Sequence, residues 1–238
     1  MRPLDGTVEE KLAWMAARAH GLVDREELLA AGITAAGIKR RVKKGVLHPE
    51  FPGVYRVGHR APSVESHYLA AVRACGKGAK LRGRAAGYHW ALLKGAAPMP
   101  EVIAPTKRRI EGIKTWRARS PVEATVWRGI PVTTVPRTLV DLAADLPVDA
   151  LARACHEAGV RYGTTPRDVE AVLARRPRTK GAGKLREVLR GDVSVTLSKL
   201  ERRRATPGSR IGAASVRRAA GAMSSAATPT PTSTTTRP

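Results

Sequence analysis

Residues 23–57 read VDREELLAAGITAAGIKRRVKKGVLHPEFPGVYRV, and the punctuation of this stretch decides the fold. Asp24 is a helix N-cap whose carboxylate can accept the free N–H groups of the first turn. Glu27, three residues on, can close a capping box, while Val23 and Leu28 form a hydrophobic staple across it. Gly32 can take the left-handed conformation that stops a helix. A second start follows at once, with Thr34 as N-cap and Ile33 and Ile38 as its staple. Two starts so close together leave room for one short helix and a sharp turn. The second helix is expected over 35–44, with Gly45 ending it. Ile38 and Val42 share its buried face. At ~100° per residue, Lys39, Arg40, Lys43 and Lys44 fall on the rest of the cylinder, with Arg41 at the flank. Gly37 costs such a helix about 1 kcal/mol relative to Ala, unless it serves a close approach. Residues 46–57 then read as two β-prone pieces around a Pro- and Gly-rich tip at 49–53.

The segment before it supplies a further helix. Thr7 and Glu10 form a capping box, and Val8, Leu12, Met15, Ala16 and Ala19 make an apolar stripe ending near Gly21. Three helices and a hairpin in this order predict a winged helix-turn-helix over residues 1–60, whose second core helix enters the major groove of DNA. The predicted DNA-binding residues are Lys39, Arg40, Arg41, Lys43 and Lys44. Thr34 at the helix N-terminus and Arg56 on the wing, aimed at phosphate, join them.

Composition points the same way. The 238 residues carry 43 Lys and Arg against 20 Asp and Glu, a net charge of +23. Such an excess favours a polyanionic partner, nucleic acid first and an anionic membrane surface second. The cations cluster at 39–44, 107–109 and 175–218. Cys75 and Cys155 match no metal-ligand spacing and make no disulfide framework, so a reducing compartment is expected. The first ten residues have no apolar signal core. No stretch approaches the ~20 apolar residues of a membrane span. A cytoplasmic protein without membrane partners is expected.

Residues 61–190 predict a mixed α+β domain. Helices are expected over 63–74, 84–93, 137–144, 148–158, 166–173 and 182–189, and strands over 101–104, 113–116, 122–127 and 130–132. The N-terminal module joined to ACGKGAKLRGRAAGYHWALL (74–93), GIPVTTVPRTLVDLA (129–143) and HEAGVRYGTTPRDVEAVLARRP (156–177) resembles the actinobacterial AbiEi-type antitoxin family over roughly residues 7–201. The resemblance implies operator binding by the winged helix and repression of a type IV abortive-infection toxin–antitoxin operon. It implies double-stranded operator DNA as partner, with a nearby toxin that need not be touched. A homodimer reading paired half-sites is an expectation of winged-helix repressors in general. The signature residues Pro131, Thr133, Thr134, Arg137, Thr138 and Asp141 favour a structural reading over a catalytic one. In it Pro136 sits at a helix start, Thr134 caps it, and Asp141 lies on an exposed turn.

Fuller family members continue into an endonuclease domain similar to very-short-patch-repair nucleases, and SVTLSKLERR (194–203) resembles its beginning. Beyond Glu201 this chain has neither Asp nor Glu, so the oxygen ligands that Mg²⁺ requires are missing. Residues 191–238 are therefore expected to be a truncated or degenerate nuclease start followed by a disordered basic tail. No catalytic residue, cofactor site or metal site is expected. GAGKL (181–185) and GKGAK (76–80) lack the pattern of a phosphate loop, and the six histidines show no ligand spacing. The chain is read as a DNA-binding antitoxin and repressor, not an enzyme. The alternatives are a nuclease-family remnant without its active site, or an antitoxin that works through protein contacts.

Overall fold

The computed structural model describes residues 7–58 and 63–191. The expected disordered tail, with Asp192 and Glu201, lies outside the described residues.

The N-terminal half follows the caps. Helix α1 (Val8–Ala17) starts at the Thr7–Glu10 capping box. A short strand β1 (Leu22–Asp24) leads into α2 (Arg25–Ala30), where Asp24 and Glu27 close the second box. Gly32, at φ +86°, turns the chain into α3 (Ala35–Lys43), and the Thr34 hydroxyl accepts from Gly37 N. Strands β2 (Leu47–Phe51) and β3 (Val54–Val57) follow. Both staple pairs, Val23 with Leu28 and Ile33 with Ile38, lie in one small core with Leu12 and Leu47.

The wing is larger than the expected hairpin. It is a three-stranded antiparallel sheet in the order β1-β3-β2. Pro49, expected in the turn, lies within β2. It fits there because β2 is an edge strand, where a missing N–H leaves no ladder bond unmade, and the register slips between Pro49 and Phe51. The turn itself is Pro52-Gly53, with Gly53 at φ +79°.

The second half is an α+β body. Helix α4 (Val64–Ala74) precedes a five-stranded sheet built from β4 (Lys80–Leu81), β5 (Glu101–Ala104), β6 (Lys114–Arg117), β7 (Ala124–Trp127) and β8 (Ile130–Thr133). The order is β6-β5-β4-β8-β7. β4 runs antiparallel to β5 and parallel to β8. Helix α5 (Gly83–His89) packs on α6 (Val135–Leu142), which also meets α7 (Val148–Tyr162) and α8 (Pro166–Ala174); α9 (Ala182–Leu189) lies on α7.

Two boundaries depart from expectation for local reasons. α5 stops at His89 because Ala91 turns left-handed at φ +55°. α7 runs on to Tyr162, since the next breaker is Gly163 at φ +61°. The two-residue β4 gives no periodicity to read and exists only through its partners. Asp141 does not lie on an exposed turn. It sits inside α6 and is 8% exposed.

The two halves share a core. Ala19, Leu22 and Val54 are buried in the same cluster as Tyr68, Leu81, Val132 and Leu139 of the body. A fully buried Leu or Val contributes about 1.5–3 kcal/mol relative to exposure. The sheet of the wing therefore holds the body as well as its own module.

Candidate nucleic-acid interface

The strongest candidate surface is the outer arc of α3. Ile38 is 2% exposed and Val42 is half-buried, so the seam faces inward as the spacing requires. Lys39, Arg40, Lys43 and Lys44 are exposed, and no carboxylate among the described residues pairs with them. Arg40, Arg41 and Lys43 lie in the last turn, and α3 has no acidic residue in its first. The C-terminal end of the helix dipole favours those cations. Four unneutralised charges on one short arc are available for phosphate.

Gly37 has a packing reason. A Cβ there would stand 3.2 Å from Ile33 Cγ2 and 3.3 Å from the Thr34 hydroxyl. Its absence lets α3 close onto the turn before it. Thr34 itself is exposed, but its hydroxyl is engaged as the cap at 3.1 Å from Gly37 N.

Two predicted residues are placed differently. Arg41 is half-buried and its guanidinium bonds Glu9 of α1 at 2.8 Å. It braces α3 against α1 from the flank. Arg56 does not point at phosphate. It is 4% exposed, with Nε donating to Glu50 at 2.7 Å and Nη1 to the Ser66 hydroxyl at 2.8 Å. In the strand Val54–Val57, Val54 and Arg56 share the inward face. The period-2 alternation was the available signal, blurred because Val57 is apolar on the other face.

Between α3 and the wing lies a cleft of about 540 Å³, lined by Ala35, Lys39, Val42, Pro49 and Tyr55 and closed at the tip by Arg25, Pro52 and Gly53. Glu50 also borders it, but its carboxylate is held by Arg56. Behind the wing, the His67 ring lies 5.3 Å from that of Phe51. Burial lowers the His67 pKa, Glu50 opposing and Arg56 reinforcing the shift.

The signature segment of the body builds a buried ionic cluster. Asp141 accepts from Arg82 at 2.9 Å and from Arg137 at 3.1 Å. Arg137 also reaches Glu123 at 3.3 Å, and Glu123 faces Arg175 and Arg176. The Thr133 and Thr138 hydroxyls bond each other at 2.8 Å. The Arg82 guanidinium covers the Trp116 ring at 4.3 Å. Thr134 takes the N-cap position of α6 without a side-chain bond. Pro131 pairs in β8 against Val126. Asp141, Arg137, Thr133 and Thr138 thus find their partners within the body, which is what a fold-holding segment does. The 137/141 spacing of i, i+4 was readable; the partnership of Arg82, distant in sequence, was not.

Glu101 is a further buried carboxylate. It accepts from Arg84 N at 2.9 Å at the start of α5, and burial raises its pKa. Gly83, at φ +57°, leaves room beside it: a Cβ there would meet the Glu101 carboxylate, which would have to move. Among the described residues no three His, Cys, Asp or Glu side chains are grouped to hold a metal ion. No helix among them is long and apolar enough to cross a membrane.

No curated protein sequence matches the chain. Its structure is similar to the crystal structure of the RV2827C protein from Mycobacterium tuberculosis, with a TM-score of 0.51 at 16% identity, covering 80% of this chain and 78% of that one. At that identity the likeness is one of fold. Residues 12–58, from within α1 to just past β3, match the model of a family described as transcriptional regulator, AbiEi antitoxin.

Proposed function

We propose that this protein is a DNA-binding antitoxin and transcriptional repressor that reads operator DNA with α3. The observation that carries the reading is the arc of Lys39, Arg40, Lys43 and Lys44, exposed and without carboxylate partners, on a helix whose other face is pinned by Ile38. Such an arc neutralises phosphates and releases counterions, while one or two of its side chains reach base edges. The family match over residues 12–58 supports the same assignment. In the finer reading the chain serves a type IV abortive-infection system, acts in the cytoplasm and is not itself an enzyme. In that reading a toxin is encoded nearby, and direct contact with it is not required. A homodimer would place two α3 helices on paired half-sites.

The test is a titration of the purified chain against DNA upstream of its own gene, with scrambled DNA alongside, across a range of salt. Sequence-dependent binding that survives added salt is expected. Arg40→Ala with Lys43→Ala should weaken it and reduce the log–log salt slope by about 2, since each phosphate contact contributes about 0.9. An unchanged slope removes α3 from the interface.

A further inference from the structure

The basic surface continues past the wing. Arg25, Pro52 and Gly53 line the cleft beside α3, and the same three residues line a second cleft of about 660 Å³. The walls of the second cleft come from the body: Arg73 on α4, Lys77 in the turn after it, and Arg108 in the loop between β5 and β6. That loop is seated against the wing. A Cβ at Gly112 would lie 3.5 Å from the Phe51 ring, and one at Gly76 would lie 3.3 Å from Arg108 Nη2. The Thr115 hydroxyl donates to the Arg108 carbonyl and anchors the loop's base.

The charges of this cleft do not cancel. Arg73 is taken by Glu27 at 2.7 Å, with Asp24 at 3.7 Å. Arg25, Lys77 and Arg108 then face one exposed carboxylate, Glu26. Lys107 and Arg109 stand exposed on the same loop, with Glu111 the acidic residue near them. No carboxylate among the described residues pairs with Arg25, Lys77, Lys107, Arg108 or Arg109.

We propose that the second cleft and the 107–109 loop grip the phosphate backbone of the same DNA duplex, on the flank beyond the wing, making the body a direct DNA contact. The occupant is duplex DNA because the cleft opens from the wing tip that also bounds the α3 cleft, so one polyanion can lie along both. Cations with little aromatic surface between them suit phosphate and not unstacked bases. This inference rests on the reading of α3 as the groove helix.

The experiment compares the full chain, its Lys107→Ala/Arg108→Ala/Arg109→Ala variant and its Arg40→Ala/Lys43→Ala variant on a duplex of about 30 bp, roughly three helical turns, from upstream of the gene. Salt dependence and hydroxyl-radical footprints are read for each, with circular dichroism to show that each variant is folded. The loop variant should bind at least tenfold more weakly, lose about 3 from the salt slope, and lose backbone protection on one flank only. The α3 variant should lose the central protection. A loop variant with the parent's slope and flank protection overturns the inference while leaving α3 in place. Unchanged binding in both variants overturns the recognition-helix reading and this inference together.

Discussion

Arg56 and Ser66 meet across the junction between wing and body: Arg56 Nη1 donates to the Ser66 hydroxyl at 2.8 Å, and that hydroxyl donates onward to the His20 carbonyl at 3.0 Å. Glu50 takes the Arg56 Nε at 2.7 Å. One buried guanidinium thus ties β3 to β2, to α4 and to the turn after α1.

This relationship separates stability from DNA contact. Ser66→Ala leaves an Arg56 N–H buried without its acceptor, and Arg56 Nη2 already has none among the described residues. The cost should be about 1–3 kcal/mol, read as a lower urea midpoint. Arg56→Met should also destabilise, yet leave the salt slope of DNA binding unchanged in the folded fraction. A slope that falls as it does for the α3 variant would return Arg56 to the phosphate surface.

The Asp141 cluster should behave as a buried ion pair that tolerates no half-removal. Asp141→Ala removes the carboxylate that Arg82 and Arg137 share and leaves Arg137 only Glu123, which is expected to cost about 3–5 kcal/mol. Glu9→Gln, which releases Arg41 at an exposed pair, should cost no more than about 1 kcal/mol. Denaturant unfolding of both variants checks the contrast. Equal midpoints would mean that Asp141 is solvated.

Two histidines make stability depend on pH. Burial lowers the pKa of His67 and of His89 from the ordinary 6.5, outweighing the Trp127 carbonyl that bonds His89 at 3.1 Å. The folded state therefore prefers both rings neutral. Their contribution is present above pH 6.5 and is lost as pH falls through the lower folded values. Unfolding free energy should drop between about pH 7.5 and 5, and His67→Phe with His89→Phe should flatten that drop. Glu101 acts with the opposite sign at more acid pH. Its raised pKa favours the folded state below the ordinary 4.5, an advantage lost as pH rises through the folded value. A flat profile in the parent would show that the rings are hydrated.

Much of the N-terminal module was legible because its signals are local. Caps at Thr7, Asp24 and Thr34, the stop at Gly32 and the staples each concern residues a few positions apart, and each forms as the spacing implies. Strand β1 was not legible. Val23 and Asp24 already read as staple and cap of α2, and only pairing with Tyr55 and Val54 makes them a strand as well. The inward turn of Arg56 and the burial of Asp141 have the same origin. A charged side chain is expected outside unless its partner is known, and Ser66 and Arg82 are supplied by tertiary structure alone.

Leu22 and Val54, rooted in the body's core, have a mechanical consequence. A reading head whose base is packed into the body should have less freedom to swivel than one on a free linker. If α3 and the 107–109 loop both grip one duplex, part of any mismatch in shape would fall on the duplex. Its willingness to bend would then become part of what is selected, even at base pairs that no side chain reaches.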